Sequence, residues 1–215
     1  QIHAPSDSSL LWDSVRVLVR LLKAAQEMPG VHCPKWRNHQ RVAKKRMRAI
    51  LYTRGADTKA RLYRDLVQVT RNTLASIDQA DLAMKCAGIG QDYDLWHAQV
   101  AHYKPLSAQV IAQTERRVFK GERVPAAEKL FSLFEEHTDI IVKGCRDIQY
   151  GHKLNLCSGK SGLILDVVIE AGNPADSDRF LPMLERHIDH YGKAPRQMAA
   201  DGGYASKENL RDARS

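Results

Sequence analysis

The pattern of apolar residues changes abruptly near residue 138, and this change constrains the fold more than any other feature of the chain. From residue 6 to residue 136 the apolar residues recur every three or four positions, which predicts helices and no strand. The next run, 139–143, is short and β-branched, and the one at 150–156 alternates, so both predict strands. We therefore expect an all-helical domain at residues 1–137 and a second domain at residues 138–215.

Capping and breaking residues divide the first region into helices. Ser6-Asp7-Ser8 is a helix-start signal, and Pro29-Gly30 predicts the end of that helix. Pro105 should break or kink a later helix, because proline lacks the backbone N–H that the helix needs. The expected helical segments are 6–26, 38–53, 58–86, 92–119 in two pieces, and 126–136.

The second region alternates strand and helix patterns. A glycine-bearing loop at 158–162 separates two runs of strand-forming residues, which predicts a β-hairpin. An amphipathic helix should follow, beginning at Asp176 or Asp178 and ending before Gly192. The expected elements are strands at 150–156 and 163–170, a helix to residue 191, a short strand at 197–200, and a helix from Lys207. This order is typical of the α/β class.

Asp201 stands directly after the last expected strand and before Gly202 and Gly203. Ligands of α/β sheets bind beyond the carboxyl ends of the strands, so this carboxylate is well placed to bind a metal or a substrate. An Asp before two glycines is also common in turns that have no chemical role, and this alternative stays open.

The basic residues are concentrated in one segment. The chain carries a net charge of +8, but residues 35–64 contain eleven basic residues and one acidic one, Asp57, for a local charge of +10. Such a segment attracts polyanions, most plausibly nucleic acid. Four of its basic residues share one side of the expected helix at 38–53 and could follow a line of phosphates: Arg41, Lys44, Lys45 and Arg48. A solvated helix face without a partner is the alternative.

Three weaker signals point to structure more than to chemistry. Gly159-Lys160-Ser161 ends like a phosphate-binding loop, but Leu154 replaces the required glycine and the stretch joins two strands. His187 and His190 are one helical turn apart but have no third metal ligand in view. Four scattered cysteines, Cys33, Cys86, Cys145 and Cys157, form no zinc pattern and predict reduced thiols in a cytoplasmic protein. No apolar run is long enough to span a bilayer.

Several separate stretches, in the right order, resemble bacterial insertion-sequence transposases of the DDE class, and most closely the group called ISNCY. The stretches are 5–13, 129–139, 150–156, 172–184 and 200–205. The resemblance implies an α/β, RNase H-like catalytic core that holds three acidic residues around two Mg²⁺ ions. Residues 138–215 would be part of that core, a β-hairpin, helix, strand and helix, and the helical region would be an insertion before it.

The resemblance also implies roles for single residues. Asp201 matches the second acidic residue of the family and would be a catalytic metal ligand. The first Asp is expected upstream of Gln1 and the final Glu beyond Ser215, so the chain is expected to be an internal fragment that is inactive alone. Lys153 and His152 are candidates to contact DNA phosphate beside the metals, with a structural role as the alternative.

The implied activity is Mg²⁺-dependent cleavage and transfer of DNA strands at transposon ends and target DNA. The family acts as multimers on DNA, without a membrane. Two other functions stay open: a non-catalytic DNA-binding remnant of a decayed transposase, and a basic RNA-binding or scaffold protein in which Asp-Gly-Gly is coincidental.

Overall fold

The fold was obtained as a computed structural model, which describes residues 6–87, 90–135, 137–143 and 147–212. The chain divides into two compact units, one ending at His137 and the other beginning at Thr138. We call the first the helical unit and the second the sheet unit. No helix in the described ranges is long and apolar enough to cross a membrane.

The helical unit is built around its first helix. Its helices are α1 (Asp7–Glu27), α2 (Gln40–Tyr52), α3 (Ala56–Ala87) and α4 (Gln91–Thr114). The predicted start of α1 is confirmed, since the Ser6 hydroxyl accepts a hydrogen bond from the Ser9 backbone N–H at 3.1 Å. Side chains of Leu11, Leu18 and Leu22 are completely buried, and α1 contacts each of the other three helices. A helix that is apolar on most sides belongs at the centre of a bundle.

Two predictions in this unit are wrong. Helix α4 passes through Pro105 without a break, because Trp96, Val100 and Val110 are buried on both sides of the proline and hold the helix in place. Where a helix was expected at 126–136, the described residues 126–135 form only a short 3₁₀ turn, Ala126–Glu128.

The segment after this 3₁₀ turn is fixed by a side chain of α4. The Gln113 amide accepts a hydrogen bond from the Leu130 N–H at 3.0 Å and donates one to the Leu130 carbonyl at 3.3 Å. Both backbone groups of Leu130 are therefore paired outside a helix, and Leu130 and Leu133 are buried in the core. These contacts outweigh the helical spacing of the sequence.

The described part of the sheet unit contains two separate antiparallel strand pairs and two α-helices. Its elements are β1 (Asp139–Lys143), β2 (Asp147–Gly151), β3 (Leu154–Ser158), β4 (Ile164–Ile169), α5 (Phe180–Tyr191) and α6 (Lys207–Asp212). Strands β1 and β2 pair antiparallel, as do β3 and β4. The predicted hairpin around residues 158–162 is confirmed, with Leu154 opposite Ile169 and Leu156 opposite Val167. The run at 150–156 is divided between β2 and β3, since Gly151 adopts a φ of 149° that side chains rarely allow.

The strand predicted at 197–200 is not formed in the described part of the chain. Residues 197–200 are exposed and belong to no helix or strand, because no described segment supplies a hydrogen-bonded neighbour. The described residues therefore show a mixed helical and antiparallel fold and no parallel pair of strands. The ends predicted beside this segment are confirmed: α5 ends at Gly192, whose φ is 67°, and Ser206 accepts the Asn209 N–H at the start of α6. The predicted start of α5 at Asp176 or Asp178 is wrong, because Asp176–Arg179 form a 3₁₀ turn and α5 begins at Phe180 without a side-chain capping hydrogen bond.

Candidate functional site

Asp201 lies on an exposed turn of the sheet unit. It precedes the 3₁₀ turn Gly202–Tyr204, and its backbone carbonyl accepts the Tyr204 N–H at 2.9 Å. The Asp201 side chain makes no capping hydrogen bond to that turn. The carboxylate is thus exposed and not used by its own turn, although it does not follow a strand as the sequence predicted.

The two glycines after Asp201 have different reasons to be glycine. A Cβ on Gly203 would lie 2.8 Å from Asp176 Oδ2, which is closer than real Cβ contacts. A Cβ on Gly202 would have nothing within 4 Å. A Cβ on Gly203 would therefore displace the Asp176 carboxylate, whereas Gly202 leaves open space beside Asp201.

A buried set of polar side chains ties this turn to the second hairpin. The Tyr204 hydroxyl donates to Asn155 Oδ1 at 2.5 Å, and Asn155 Nδ2 donates to Glu170 Oε1 at 2.6 Å. Arg179 pairs with the other Glu170 oxygen at 2.8 Å. Asn155 is only 1% exposed and Glu170 only 7%. We call these four residues the Asn155 network; because buried polar groups are costly when unpaired, it fixes the position of the turn.

The other side of the turn is held by Lys153 and Asn209. Lys153 Nζ donates to the Pro174 carbonyl and pairs with Asp176, both at 2.5 Å, and its side chain is 11% exposed. Asn209 on α6 donates to the carbonyls of Tyr204 and Ser177, both at 2.8 Å. Lys153, a predicted DNA contact, is thus paired within the sheet unit, and its ion-pair partner Asp176 lies against Gly203.

Three carboxylates influence the Tyr204 hydroxyl. Burial raises the pKa of Tyr204, and the negative charges of Asp176, Asp201 and Glu170 raise it further. Asp176 is neutralised by Lys153 and Glu170 by Arg179. Within the described ranges, Asp201 is the member of this trio that has no cationic partner. It is therefore the carboxylate best able to bind an external cation.

The described residues do not complete a metal site around Asp201. No group of three His, Cys, Asp or Glu residues among them could hold a metal ion. His152 Nδ1 lies 3.8 Å from Asp139 Oδ2, and the centres of the His187 and Tyr191 rings are 4.7 Å apart.

The described cysteines and the 158–162 loop show no ligand site either. Cys33, Cys86 and Cys157 are free thiols, and Cys145 lies outside the described residues. The 158–162 loop closes on itself through a hydrogen bond from Gly159 N–H to the Leu163 carbonyl, as a hairpin loop does.

The predicted basic stripe is present on the surface of α2. Ala43 and Ile50 face the core, while the four stripe residues are exposed: Arg41, Lys44, Lys45 and Arg48. None of these four has an acidic partner within salt-bridge distance in the part of the chain that the structure describes. Arg46, on another side of α2, does pair with Asp65 at 3.2 Å. The stripe belongs to the helical unit, and Asp201 and Lys153 belong to the sheet unit.

The Asn155 network was not predicted from the sequence. The alternation of Leu154, Asn155 and Leu156 predicts that the two leucines face inward and Asn155 outward, whereas in the structure Asn155 is buried and the leucines are exposed. Its partners could not be identified from the sequence because Arg179 and Tyr204 are distant along the chain.

Comparison with known proteins places the turn inside a recognised domain. Residues 142–215 match the family model of the transposase DDE domain. This range includes Asp201, Lys153 and the whole Asn155 network, and it confirms the resemblance to DDE transposases for that part of the chain. No curated protein and no solved structure matches the chain significantly.

Proposed function

Because residues 142–215 carry a transposase DDE domain, we propose that this protein serves DNA transposition as an insertion-sequence DDE transposase. Its reaction is the cleavage of DNA strands at transposon ends and their transfer to target DNA. The observation that carries the proposal is the exposed Asp201 carboxylate, which has no cationic partner among the described residues and lies within the matched range on a turn held by hydrogen bonds.

Asp201 is proposed as one acidic ligand of the catalytic metals. Mg²⁺ prefers oxygen ligands, and two such ions activate the attacking oxygen and stabilise the leaving oxygen in displacement at phosphorus. One carboxylate does not hold two ions, and the described residues contain no group of three His, Cys, Asp or Glu side chains that could hold a metal. We therefore assign Asp201 one ligand position and propose that the other acidic ligands lie outside the described ranges.

This assignment predicts how the present chain behaves with metal. It should bind Mg²⁺ weakly and show no strand transfer, since two of the three acidic ligands are missing from the described residues. Metal-dependent nicking of plasmid DNA by the purified chain, abolished by Asp201→Ala, would contradict this expectation.

The sheet unit is proposed to be part of an RNase H-like core. A β-hairpin followed by a helix is a fragment of such a sheet, and residues 197–200 would become its next strand when a neighbouring strand pairs with them. The exposure of 197–200 and the absence of any described pairing partner there support this proposal. The helical unit is then an insertion into the core.

The α2 stripe is proposed to contact the DNA backbone. Its four exposed cations lie three or four residues apart on one helix side and have no described acidic partner. Contacts of this kind bind phosphates irrespective of base sequence and weaken as salt rises. We further propose that the protein acts in the cytoplasm, as a homo-oligomer assembled on DNA and without a membrane.

Charge reversal of the stripe tests the DNA-binding part of the proposal. Replacing Arg41, Lys44, Lys45 and Arg48 with Glu should weaken binding to duplex DNA and reduce the slope of log affinity against log salt by about 3 to 4. The charge-preserving double variant Arg41→Lys, Arg48→Lys should leave both quantities nearly unchanged. Fluorescence anisotropy across a salt series measures both, and an unaltered slope in the Glu variant would disprove the assignment.

A further inference from the structure

A groove runs along α1 in the helical unit. Its volume is about 630 Å³, and its lining includes Arg16, Arg20, Lys23, Gln40 and Phe134. Among the described residues of its lining, Glu27 is the only acidic one, against three basic ones, so the described lining carries a positive charge. It is separate from the α2 stripe, none of whose four residues lines it.

The cations in this groove follow one line on α1. Arg16, Arg20 and Lys23 are exposed and are spaced by four and three residues, which spreads them over about 10 Å along the helix axis. Arg16 pairs with Asp13 at 3.0 Å. Arg20 and Lys23 have no acidic partner within salt-bridge distance in the described ranges. Two cations of the groove are therefore available to an external anion.

Phe134 presents an aromatic ring beside these cations. Its neighbour Leu133 is buried, and the Ser132 hydroxyl accepts the backbone N–H groups of Phe134 and Glu135 at 3.1 and 3.2 Å. These contacts fix the backbone while the Phe134 side chain stays 48% exposed. The Arg16 guanidinium lies 5.2 Å from the centre of the ring. The Phe134 ring is thus an exposed aromatic surface beside a cationic groove, and its backbone is held by hydrogen bonds.

We propose that this groove binds a single-stranded segment of DNA. Arg20 and Lys23 would contact its phosphates, and Phe134 with Arg16 would stack against a base. Cationic grooves that contain aromatic side chains bind single strands in this way, because each unpaired base has a free face for stacking. In a duplex those faces are covered by neighbouring bases, so a groove of this kind prefers single strands. The choice of DNA over RNA rests on the proposed function. The proposed stacking of a base on Phe134 does not depend on that function.

The direct test is a fluorescent reporter at the platform. A short oligothymidylate should quench the fluorescence of the tryptophan introduced in Phe134→Trp. The same titration of the wild-type protein gives the contribution of the native tryptophans. Phe134→Ala should bind the same oligonucleotide about 10-fold more weakly, because stacking on one aromatic side chain is lost. Phe134→Leu keeps an apolar side chain but has no aromatic face, so it should lose as much affinity as Phe134→Ala.

Two double variants with the same change in charge distinguish binding in the groove from general electrostatic attraction of the oligonucleotide to the protein. The double variant Arg20→Glu, Lys23→Glu should lose more single-strand affinity than Lys120→Glu, Arg123→Glu, which changes the charge equally at exposed residues outside the groove lining. Circular dichroism and thermal melting confirm that each variant is folded. Absence of quenching in Phe134→Trp, or equal affinity losses in the two double variants, would overturn the proposal.

The two proposals fail in different ways. If the α2 stripe is not a DNA contact, its Glu variant keeps duplex affinity while oligothymidylate still quenches Phe134→Trp. If the groove is not a single-strand site, quenching is absent while duplex binding still depends on the stripe. An oligouridylate that binds much more tightly than oligothymidylate would overturn the assignment to DNA.

Discussion

The helical unit and the sheet unit are stabilised in opposite ways. The helical unit buries apolar side chains along α1, with Leu11, Leu18 and Leu22 completely inaccessible. In the described part of the sheet unit, the buried apolar residues are Ile141 and Met183, whereas Asn155, Glu170 and Asn209 are buried polar residues. Apolar residues of its second hairpin, such as Leu156 and Ile169, are exposed instead. The interior of the sheet unit thus positions the Asp201 turn and contributes little hydrophobic stabilisation.

The comparison implies that each unit has its own sensitive residues. A hydrophobic core responds mainly to lost volume, since a cavity removes transfer energy and packing contacts. A polar interior responds to a lost hydrogen-bond partner, since the remaining group is left buried without compensation. The following variants separate these two responses.

The largest effect is expected from Leu18→Ala in the helical unit. It should lower the free energy of unfolding by about 2 to 5 kcal/mol, because the side chain is completely buried at the centre of the bundle. Leu156→Ala is the matched change in the sheet unit. Since Leu156 is 56% exposed, that variant should cost less than about 0.5 kcal/mol. Urea denaturation followed by circular dichroism measures both, and equal costs would contradict the contrast between the units.

Asn155→Ala should be the most damaging truncation in the sheet unit. It removes the partner of both Tyr204 and Glu170, at a cost of about 1 to 3 kcal/mol. Asn173→Ala, at an exposed position, is the control and should be nearly neutral. Hydrogen exchange at the Tyr204 amide reports on the turn directly. If its protection is unchanged in Asn155→Ala, the network does not hold the turn.

The smallest effect is expected from a single methyl group on the turn. Gly203→Ala should destabilise the sheet unit by about 1 kcal/mol, because the added Cβ must displace the Asp176 carboxylate from its pairing with Lys153. Gly202→Ala should be tolerated, since no atom lies within 4 Å of its added Cβ and its φ is not positive. Thermal melting of the two variants gives the comparison. Similar melting temperatures would show that Asp176 yields and that the close approach is not a constraint.

Local patterns predicted much of the fold. The capping signal at Ser6, the helical spacing of α1 to α3, the hairpin loop at 158–162 and the C-terminal end of α5 all depend on residues near one another in sequence. The failures at Pro105 and at 126–136 have a different origin. There, contacts with distant residues, such as Gln113 with Leu130, decide the backbone conformation.

The candidate site could be predicted only in part for the same reason. Asp201 and its exposure follow from Asp-Gly-Gly, but the predicted strand at 197–200 depends on a neighbour that is not among the described residues. Lys153 was predicted to contact DNA phosphate because of its expected place beside the metals, whereas its inward pairing depends on Asp176, far along the chain. The exposure of the α2 stripe was predictable because helical periodicity alone decides it.

The most direct test concerns Asp201 as a cation ligand on a braced turn. Mn²⁺, which takes the same oxygen ligands as Mg²⁺ and broadens nearby NMR signals, is added to the isotope-labelled protein. The amide signals of Gly202 to Tyr204 should broaden in the wild-type protein and in the control Asp189→Asn, but not in Asp201→Asn. Asn155→Ala should require more Mn²⁺ for the same broadening. Broadening that persists in Asp201→Asn, or that is centred elsewhere, would contradict the assignment.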